Sequence, residues 1–210
     1  MSKISFKPGN MLYPLPAVLV SAMDEEGNVN AFTVAWAGTV CTNPPMVSIS
    51  VRPSRYSYDL IKKRGEFVIN LTTQDLVYAT DYCGVRSGRD EDKLAKLELC
   101  RQPSKEIATP GIAQSPVNIE CRVKDILELG SHHMFLAEVV NVQVDAAYMD
   151  EKKSFHLDRA KPIVYSHGGY FSLGKKLGTF GYSIAKKQET KCQREKRSRK
   201  PAGKPASRRK

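Results

Sequence analysis

The sequence contains no apolar run that approaches the roughly 18 residues of a membrane span. Its N-terminus, Met-Ser-Lys-Ile-Ser-Phe-Lys-Pro, has no apolar segment of the kind that a secretory signal requires. Only five cysteines are present, and none of them is spaced as Cys-x-x-Cys. Their odd number and scattered positions argue against a disulfide framework and against a zinc site, so we expect neither. We expect instead a protein of the reducing cytoplasm without a membrane segment.

Motifs of the common nucleotide-binding and hydrolytic enzymes are also missing. No Gly-x-Gly-x-x-Gly follows a strand pattern and no Walker loop is present, which argues against a Rossmann fold and a P-loop enzyme. No Ser, His and Asp occur at a recognisable catalytic spacing. His132 and His133 are adjacent in a turn and lack the i, i+4 spacing of a helical metal pair, so we expect no metal.

The positive charge of the chain is concentrated at one end. The net charge is +11, and residues 186–210 alone hold twelve Lys or Arg and two Glu, a net of +10. The remaining 185 residues carry 21 basic and 20 acidic residues, a net of +1. Because residues 186–210 also lack periodic apolar residues, we predict one domain over residues 1–185 and a disordered basic tail that binds polyanions weakly.

The pattern between residues 30 and 65 predicts two strands followed by a helix. A stretch rich in Thr, Val and aromatic residues runs from Asn30 to Gly38, and Asn43-Pro44-Pro45 then turns the chain. Residues 46–51 form a second predicted strand. A helix begins near Tyr56 and ends at Gly65.

Two arginines and two serines lie where the predicted helix begins. The positive end of a helix together with guanidinium and hydroxyl groups is the chemistry of an anion site, most naturally a phosphate. The alternative is that the arginines are ordinary surface residues and that one serine, Ser54, only caps the helix. An aromatic residue, Trp36, precedes the same turn and favours a nucleotide-like ligand. The polar residues are Arg52, Ser54, Arg55 and Ser57.

The rest of the chain is read as mainly β with short helices. We predict strands over residues 17–22, 66–71, 117–123, 134–144 and 163–165, a closing segment over residues 170–173, and helices from Thr73 or Asp75 to Tyr82 and from Asp90 to about Leu99. In the strand at 117–123 we expect Asn118, Glu120 and Arg122 to face solvent. Ser87-Gly88-Arg89 and Lys93, one turn into the following helix, form a second possible phosphate contact, or else a plain loop and helix start.

Taken together, these motifs resemble the flavin-reductase-like proteins with an FMN-binding split β-barrel of Greek-key type, and among them most closely the flavoredoxins. The resemblance covers roughly residues 8–174. Three positions depart from the family pattern, namely Phe32, Leu94 and Ser131. The matching segments are Asn30, Thr33-Val-Ala-Trp36, Asn43-Pro-Pro45, Ile49-Ser-Val51 with Arg55, Gly65 to Asn70, Ser87-Gly-Arg89 with Asp92-Lys93, Gly130-Ser-His132 and Phe135 to Val139.

The resemblance implies an FMN cofactor, a homodimer with the flavin near its interface, and a set of contacts. It places the motif around residues 87–93 near the FMN phosphate, and it makes His132 a candidate for substrate contact. Asn70 either bonds the flavin or caps the next turn. The expected cofactor-binding residues are Asn30, Thr33, Val34, Ala35, Trp36, Ser50, Val51, Arg52, Arg55, Tyr56, Ser57, Asn70, Ser87, Gly88 and Lys93.

Three functions from different classes remain open at this point. The first is an FMN-dependent oxidoreductase that receives electrons from NAD(P)H or from a reduced redox partner, and the flavin itself carries the chemistry. The second is a non-catalytic FMN electron carrier. The third is a nucleic-acid-binding protein that acts through its basic tail, and the nearly neutral body of the chain argues against it.

Overall fold

The computed structural model of the chain describes residues 1–184. Residues Met1–Leu173 form one unit, and a second unit begins at Gly174. The predicted basic tail, residues 186–210, lies outside the described residues, so its boundary and its disorder stay predictions. No helix in the described part of the chain is long and apolar enough to cross a membrane.

The described elements are short helices and numerous strands. The strands are β1 (Leu15–Pro16), β2 (Val18–Met23), β3 (Val29–Val34), β4 (Ala37–Cys41), β5 (Met46–Val51), β6 (Glu66–Leu71), β7 (Arg101–Gln102), β8 (Gly111–Ile112), β9 (Val117–Glu128), β10 (His133–Val144), β11 (Ile163–Ser166) and β12 (Gly169–Ser172). The α-helices are α1 (Tyr56–Arg64), α2 (Val77–Val85) and α3 (Lys93–Lys96). Single 3-10 turns cover Gln74–Leu76, Ala146–Tyr148 and Leu157–Ala160.

The main sheet has seven strands in the order β3-β2-β6-β9-β10-β5-β4, and every neighbouring pair is antiparallel. The two strands at its opposite edges, β3 and β4, are consecutive in the chain. A separate three-stranded sheet has the order β1-β11-β12. Strands account for 39% of the described residues and helices for 17%, which confirms the predicted mainly β split barrel.

Two apolar clusters fill the unit. In the first, the inward residues of β2, β5, β6 and β10 pack around α1, which buries Tyr58, Leu60 and Ile61. In the second, α2 and the 3-10 turn before it lie against the other side of β2 and β3, and they bury Ala79 and Leu76 beside Leu19. The left-handed residue Gly65, with φ of 72°, ends α1, as the sequence predicts.

Several predicted boundaries are wrong. The stretch from Asn30 to Gly38 is two strands, because the chain leaves one sheet edge after Val34 and joins the other at Ala37. Helix α2 continues to Val85, so residues 84 and 85 are not loop. The third helix covers only Lys93–Lys96, which makes Lys93 its first residue. The residue that caps α1 is Arg55 and not Ser54, and no side-chain cap bond is made.

Two of the three predicted outward residues of β9, Asn118 and Glu120, are in fact buried, whereas Arg122 is exposed as predicted. Glu120 is fully buried, and its carboxylate accepts hydrogen bonds from the Lys105 and Glu106 N–H groups, from Asn141 and from Gln143. Burial alone would raise the pKa of Glu120, but these hydrogen bonds outweigh it and lower that pKa. The loop of residues 103–116 covers this face of β9, which sequence alternation alone does not reveal.

Asn70 is the centre of a second buried polar network. Its side chain is fully buried, its amide donates to the Leu19 carbonyl at 3.0 Å, and its oxygen accepts from the Ile112 N–H and the Asn118 amide, both at 2.8 Å. Asn70 therefore has a structural role, although not the expected one of capping the next turn. The network joins β2, β6, β8 and β9.

We predict that Asn70→Ala destabilises the fold without weakening ligand binding in the groove described below. Removal of the side chain leaves the buried Ile112 N–H and Asn118 amide without a partner, which costs about 2–4 kcal/mol. Urea unfolding measures this loss, and the exposed Asn10→Ala is the control. An unchanged free energy of unfolding together with weaker flavin binding would contradict the structural role.

Candidate functional site

The turn between β5 and α1 forms one wall of a groove. The Arg55 N–H donates to the Arg52 carbonyl at 3.0 Å, and Arg55 then accepts from the Tyr58 N–H as α1 begins. Arg55 has extended backbone angles, φ −73° and ψ 137°, so it stands just outside the helix. Both arginine side chains are exposed, and the first N–H groups of a helix have no partners within it. This wall therefore presents hydrogen-bond donors and positive charge.

The loop between α2 and α3 forms the opposite wall, and Gly88 allows it to approach closely. A Cβ atom at Gly88 would overlap the Asn30 side chain and would lie 2.9 Å from Tyr56 Cδ1. Asn30 in turn donates from its amide to the Ser57 hydroxyl at 2.7 Å. A glycine is needed at this position because α1, β3 and the loop meet there without room for a side chain.

Arg89 connects the two walls. Its guanidinium donates to the Ser54 carbonyl at 3.1 Å and lies over the Tyr56 ring, 5.5 Å from the ring centroid. The contact joins the loop before α3 to the turn before α1. It adds a third guanidinium to those of Arg52 and Arg55 near the start of α1, and the cation–π contact restricts its orientation.

Lys93 places a buried cation at the base of the same groove. The residue is only 2% exposed, and its ammonium donates to the Arg86 carbonyl at 3.1 Å and to the Cys83 carbonyl at 3.4 Å. Burial, and to a smaller extent the charge of Arg55, lower the pKa of Lys93. The two carbonyls belong to the C-terminal end of α2, so Lys93 also caps that helix. An anion in the groove would offset the cost of burying this charge.

These walls enclose a cavity of about 280 Å³. Its lining contains five cationic side chains and no Asp or Glu. Such a set, beside a helix N-terminus, favours an anion and in particular a phosphate. The five residues are Arg52, Arg55, Arg86, Arg89 and Lys93. We call this cavity the cationic end of the groove.

A second cavity of about 340 Å³ adjoins the first and shares five lining residues with it: Phe32, Thr33, Arg52, Arg55 and Gly84. We call it the ring end of the groove, because aromatic rings line it. They are Trp36, His132, Tyr165 and Tyr170, together with the shared Phe32.

Two pairs of rings give the ring end its shape. Trp36 and His132 meet edge to face with centroids 4.9 Å apart, and Tyr165 and Tyr170 do so at 5.6 Å. Burial, followed by the charge of Arg52, lowers the pKa of His132, so its imidazole is neutral near neutral pH. Flat, mostly uncharged walls of this kind suit a planar heteroaromatic ring.

The structure brings together nearly all the residues that the sequence assigned to a cofactor. The ring end contains Thr33, Val34, Ala35, Trp36, Ser50, Val51, Arg52, Arg55 and His132, and the cationic end contains Asn30, Thr33, Arg52, Arg55, Tyr56, Ser57, Ser87, Gly88 and Lys93. Asn70 lines neither cavity, because it is fully buried in its network.

Sequence reasoning missed several lining residues. Arg86 directly precedes the Ser87-Gly88-Arg89 motif, so its charge was a usable signal. Gly84 and Asp81 belong to α2, and no motif marks them. Gly84 allows α2 to pack on β3, because a Cβ there would lie 3.2 Å from Thr33 Cβ. Asp81 is brought into the groove only by that packing.

The comparisons with known proteins agree with this geometry. An uncharacterized protein of Archaeoglobus fulgidus is 35% identical over 168 residues, which cover 80% of this chain and 89% of that protein. The flavoredoxin of Desulfovibrio vulgaris (Miyazaki F) superposes with a TM-score of 0.82 and 29% identity over 87% of this chain and all of that one. A flavoredoxin from Methanosarcina acetivorans gives a TM-score of 0.79 and 26% identity, covering 88% of this chain and 100% of that one.

The family model described as "Flavin reductase like domain" matches residues 10–174, which include every strand and helix from β1 to β12. The match spans both walls of the groove and both of its cavities. The chain therefore belongs to the family of flavin reductase like domains.

Proposed function

We propose that this protein is an FMN-binding oxidoreductase that passes electrons between FMN and either NAD(P)H or a redox partner protein. One observation carries the proposal: a cationic cavity without acidic lining residues opens directly into a cavity walled by aromatic rings. A phosphorylated molecule with a planar ring matches this division of charge and shape. Membership of the flavin reductase like family makes a flavin the natural ligand of that class.

The residues present fit FMN at both ends. A phosphate of about two negative charges would face the donors of Arg55, Ser57 and Lys93. The flavin ring would lie between the β3–β4 crossing and the aromatic side chains. Because β3 is an edge strand of the sheet, its outer side offers backbone groups to the polar edge of a ring.

Bound FMN would supply the redox chemistry, and the protein would bind, orient and shield it. Trp36 and His132 would cover one side of the ring end, and Tyr165 and Tyr170 another. With its pKa lowered, His132 can present a neutral imidazole to a substrate without adding charge. No other side chain needs to act as an acid or a base.

A second function is supported by the likeness to flavoredoxin. The protein of Desulfovibrio vulgaris shares 29% of its residues with this chain and the same fold over its whole length. On that reading, this chain is an electron carrier that binds FMN tightly and oxidises NAD(P)H slowly. The nucleic-acid alternative depends on residues 186–210, which lie outside the described part of the chain, so no observation favours it.

Steady-state oxidation of NADH and NADPH, each with and without added FMN, separates the two flavin functions. We expect the FMN-loaded protein to oxidise at least one of the two nucleotides with saturation kinetics. Turnover no faster than that of free FMN, in a protein that still holds the flavin, would favour the carrier.

We also propose that the protein is a homodimer with the flavin near the interface. The edge strand β4 exposes Val40 by 49%, and Trp36 beside it is 43% exposed. Val142 and Val144 of β10 are also exposed. An edge strand and an exposed apolar surface are the features that pairing of subunits covers. Light scattering is expected to give twice the chain mass, and a stable monomer that binds FMN would overturn the dimer.

The phosphate assignment predicts that Arg55→Ala weakens FMN binding but leaves riboflavin binding unchanged. Loss of a charge-assisted hydrogen bond costs about 1.5–3 kcal/mol. This corresponds to roughly a 10- to 100-fold loss of FMN affinity. Riboflavin lacks the phosphate and should bind both proteins equally. Fluorescence titration of each protein with both flavins measures the difference.

Arg159→Ala is the matched control, because Arg159 is an exposed arginine that lines neither cavity. It should leave both affinities unchanged. Equal losses for FMN and riboflavin in Arg55→Ala would show that Arg55 supports the turn itself. Equal affinities in mutant and parent would remove Arg55 from the site and move the phosphate assignment to Arg52 or Lys93.

A further inference from the structure

Asp81 is the one carboxylate among the described residues that line either cavity of the groove. It lies on α2 and faces the ring end, where Tyr170 donates a hydrogen bond from its hydroxyl to Asp81 Oδ1 at 3.2 Å. None of the ion pairs in residues 1–184 involves Asp81. Its negative charge is therefore offset by no paired cation.

The hydrogen bond from Tyr170 fixes the position of the Asp81 carboxylate. Tyr170 belongs to β12, which is part of the three-stranded sheet, whereas Asp81 belongs to α2. The hydrogen bond therefore joins two separate elements that both line the ring end. Burial, followed by the charge of Asp81, raises the pKa of Tyr170 to about 12, so the hydroxyl stays protonated and keeps donating.

The distribution of charge along the groove gives Asp81 a role. Arg86, Arg89 and Lys93 line only the cationic end, whose five cations exceed the two negative charges of one phosphate. That surplus would draw any anionic molecule into the groove, including one that competes for the ring end. Arg52 and Arg55 line the ring end as well, and Asp81 is the lining carboxylate that opposes their attraction for an anion there, since charge interactions weaken with distance.

We propose that Asp81 is a specificity-determining residue, which makes the ring end of the groove favour uncharged or cationic planar substrates over anionic ones. The inference rests on the proposed function, because the substrate would meet the flavin there. The second substrate would then be a planar ring that carries no carboxylate or sulfonate on the part that enters the ring end. Tyr170 acts as a positioning residue that holds the carboxylate.

The test compares benzamide and benzoate, two planar rings of nearly equal size that differ in charge. Their affinities are measured by calorimetry on FMN-loaded and on flavin-free protein. In the parent we expect benzamide to bind at least as tightly as benzoate. In Asp81→Asn we expect benzoate to gain about three- to tenfold in affinity and benzamide to change little. At about 0.5 M salt the gain should shrink, because the charge is exposed and screened.

Two further variants make the comparison specific. Asp81→Glu keeps the charge and should keep the parent preference for benzamide. Asp75→Asn removes a charge from an exposed residue of the preceding 3-10 turn that lines neither cavity, so neither ligand should respond. The inference is overturned if benzoate gains nothing in Asp81→Asn, if both ligands change equally, or if neither binds the ring end. If FMN does not bind, the proposed function is overturned instead. The measurements on flavin-free protein still determine the effect of Asp81 on the two ligands.

Discussion

The groove depends on a two-residue crossing that joins the opposite edges of one sheet. The chain leaves β3 after Val34 and enters β4 at Ala37, so Ala35 and Trp36 alone span the opening of the split barrel. The Trp36 carbonyl accepts from the Ser50 N–H at 2.9 Å, which fixes the crossing to β5. Because both edges meet here, the ring end gains backbone from β3, an aromatic side chain from the crossing and the last residues of β5.

Close packing of loops against this crossing then divides the groove by charge. Gly88 allows the loop before α3 to reach Asn30 and Tyr56, and that loop carries Arg86 and Arg89 into one cavity, with Lys93 directly after it at the start of α3. Gly84 allows α2 to approach Thr33, and the same helix carries Asp81 to the other cavity. Neither glycine contributes a side chain to the groove. Each one allows a close approach of the backbone, and that approach places charged side chains in one of the two cavities.

Local patterns predicted the parts of the fold that local chemistry decides. The strand at residues 46–51, the strand at 66–71 and helix α1 have the predicted bounds, since a Pro-rich turn and a glycine delimit them. The break after Val34 was not predictable from β propensity, because both halves of the stretch are β and only sheet closure separates them. The burial of Glu120 and Asn118 depends on a loop that covers β9, and alternation along one strand carries no information about such a cover.

The candidate site shows the same division between local and tertiary information. The arginines beside α1 and the motif at residues 87–93 could be read from the sequence, because a helix start and a glycine loop are local signals. The position of the Asp81 charge at the ring end could not be read from the sequence. Asp81 and Tyr170 are 89 residues apart and meet only when β12 packs beside α2. Asp81 and Arg86 are five residues apart on α2 and its end, roughly 7–8 Å along a helix. Helix α2 thus places Asp81 at the ring end, and Arg86, directly after its last residue, lines the cationic end. A ligand with an anionic end and a neutral ring can therefore match both charges in only one orientation.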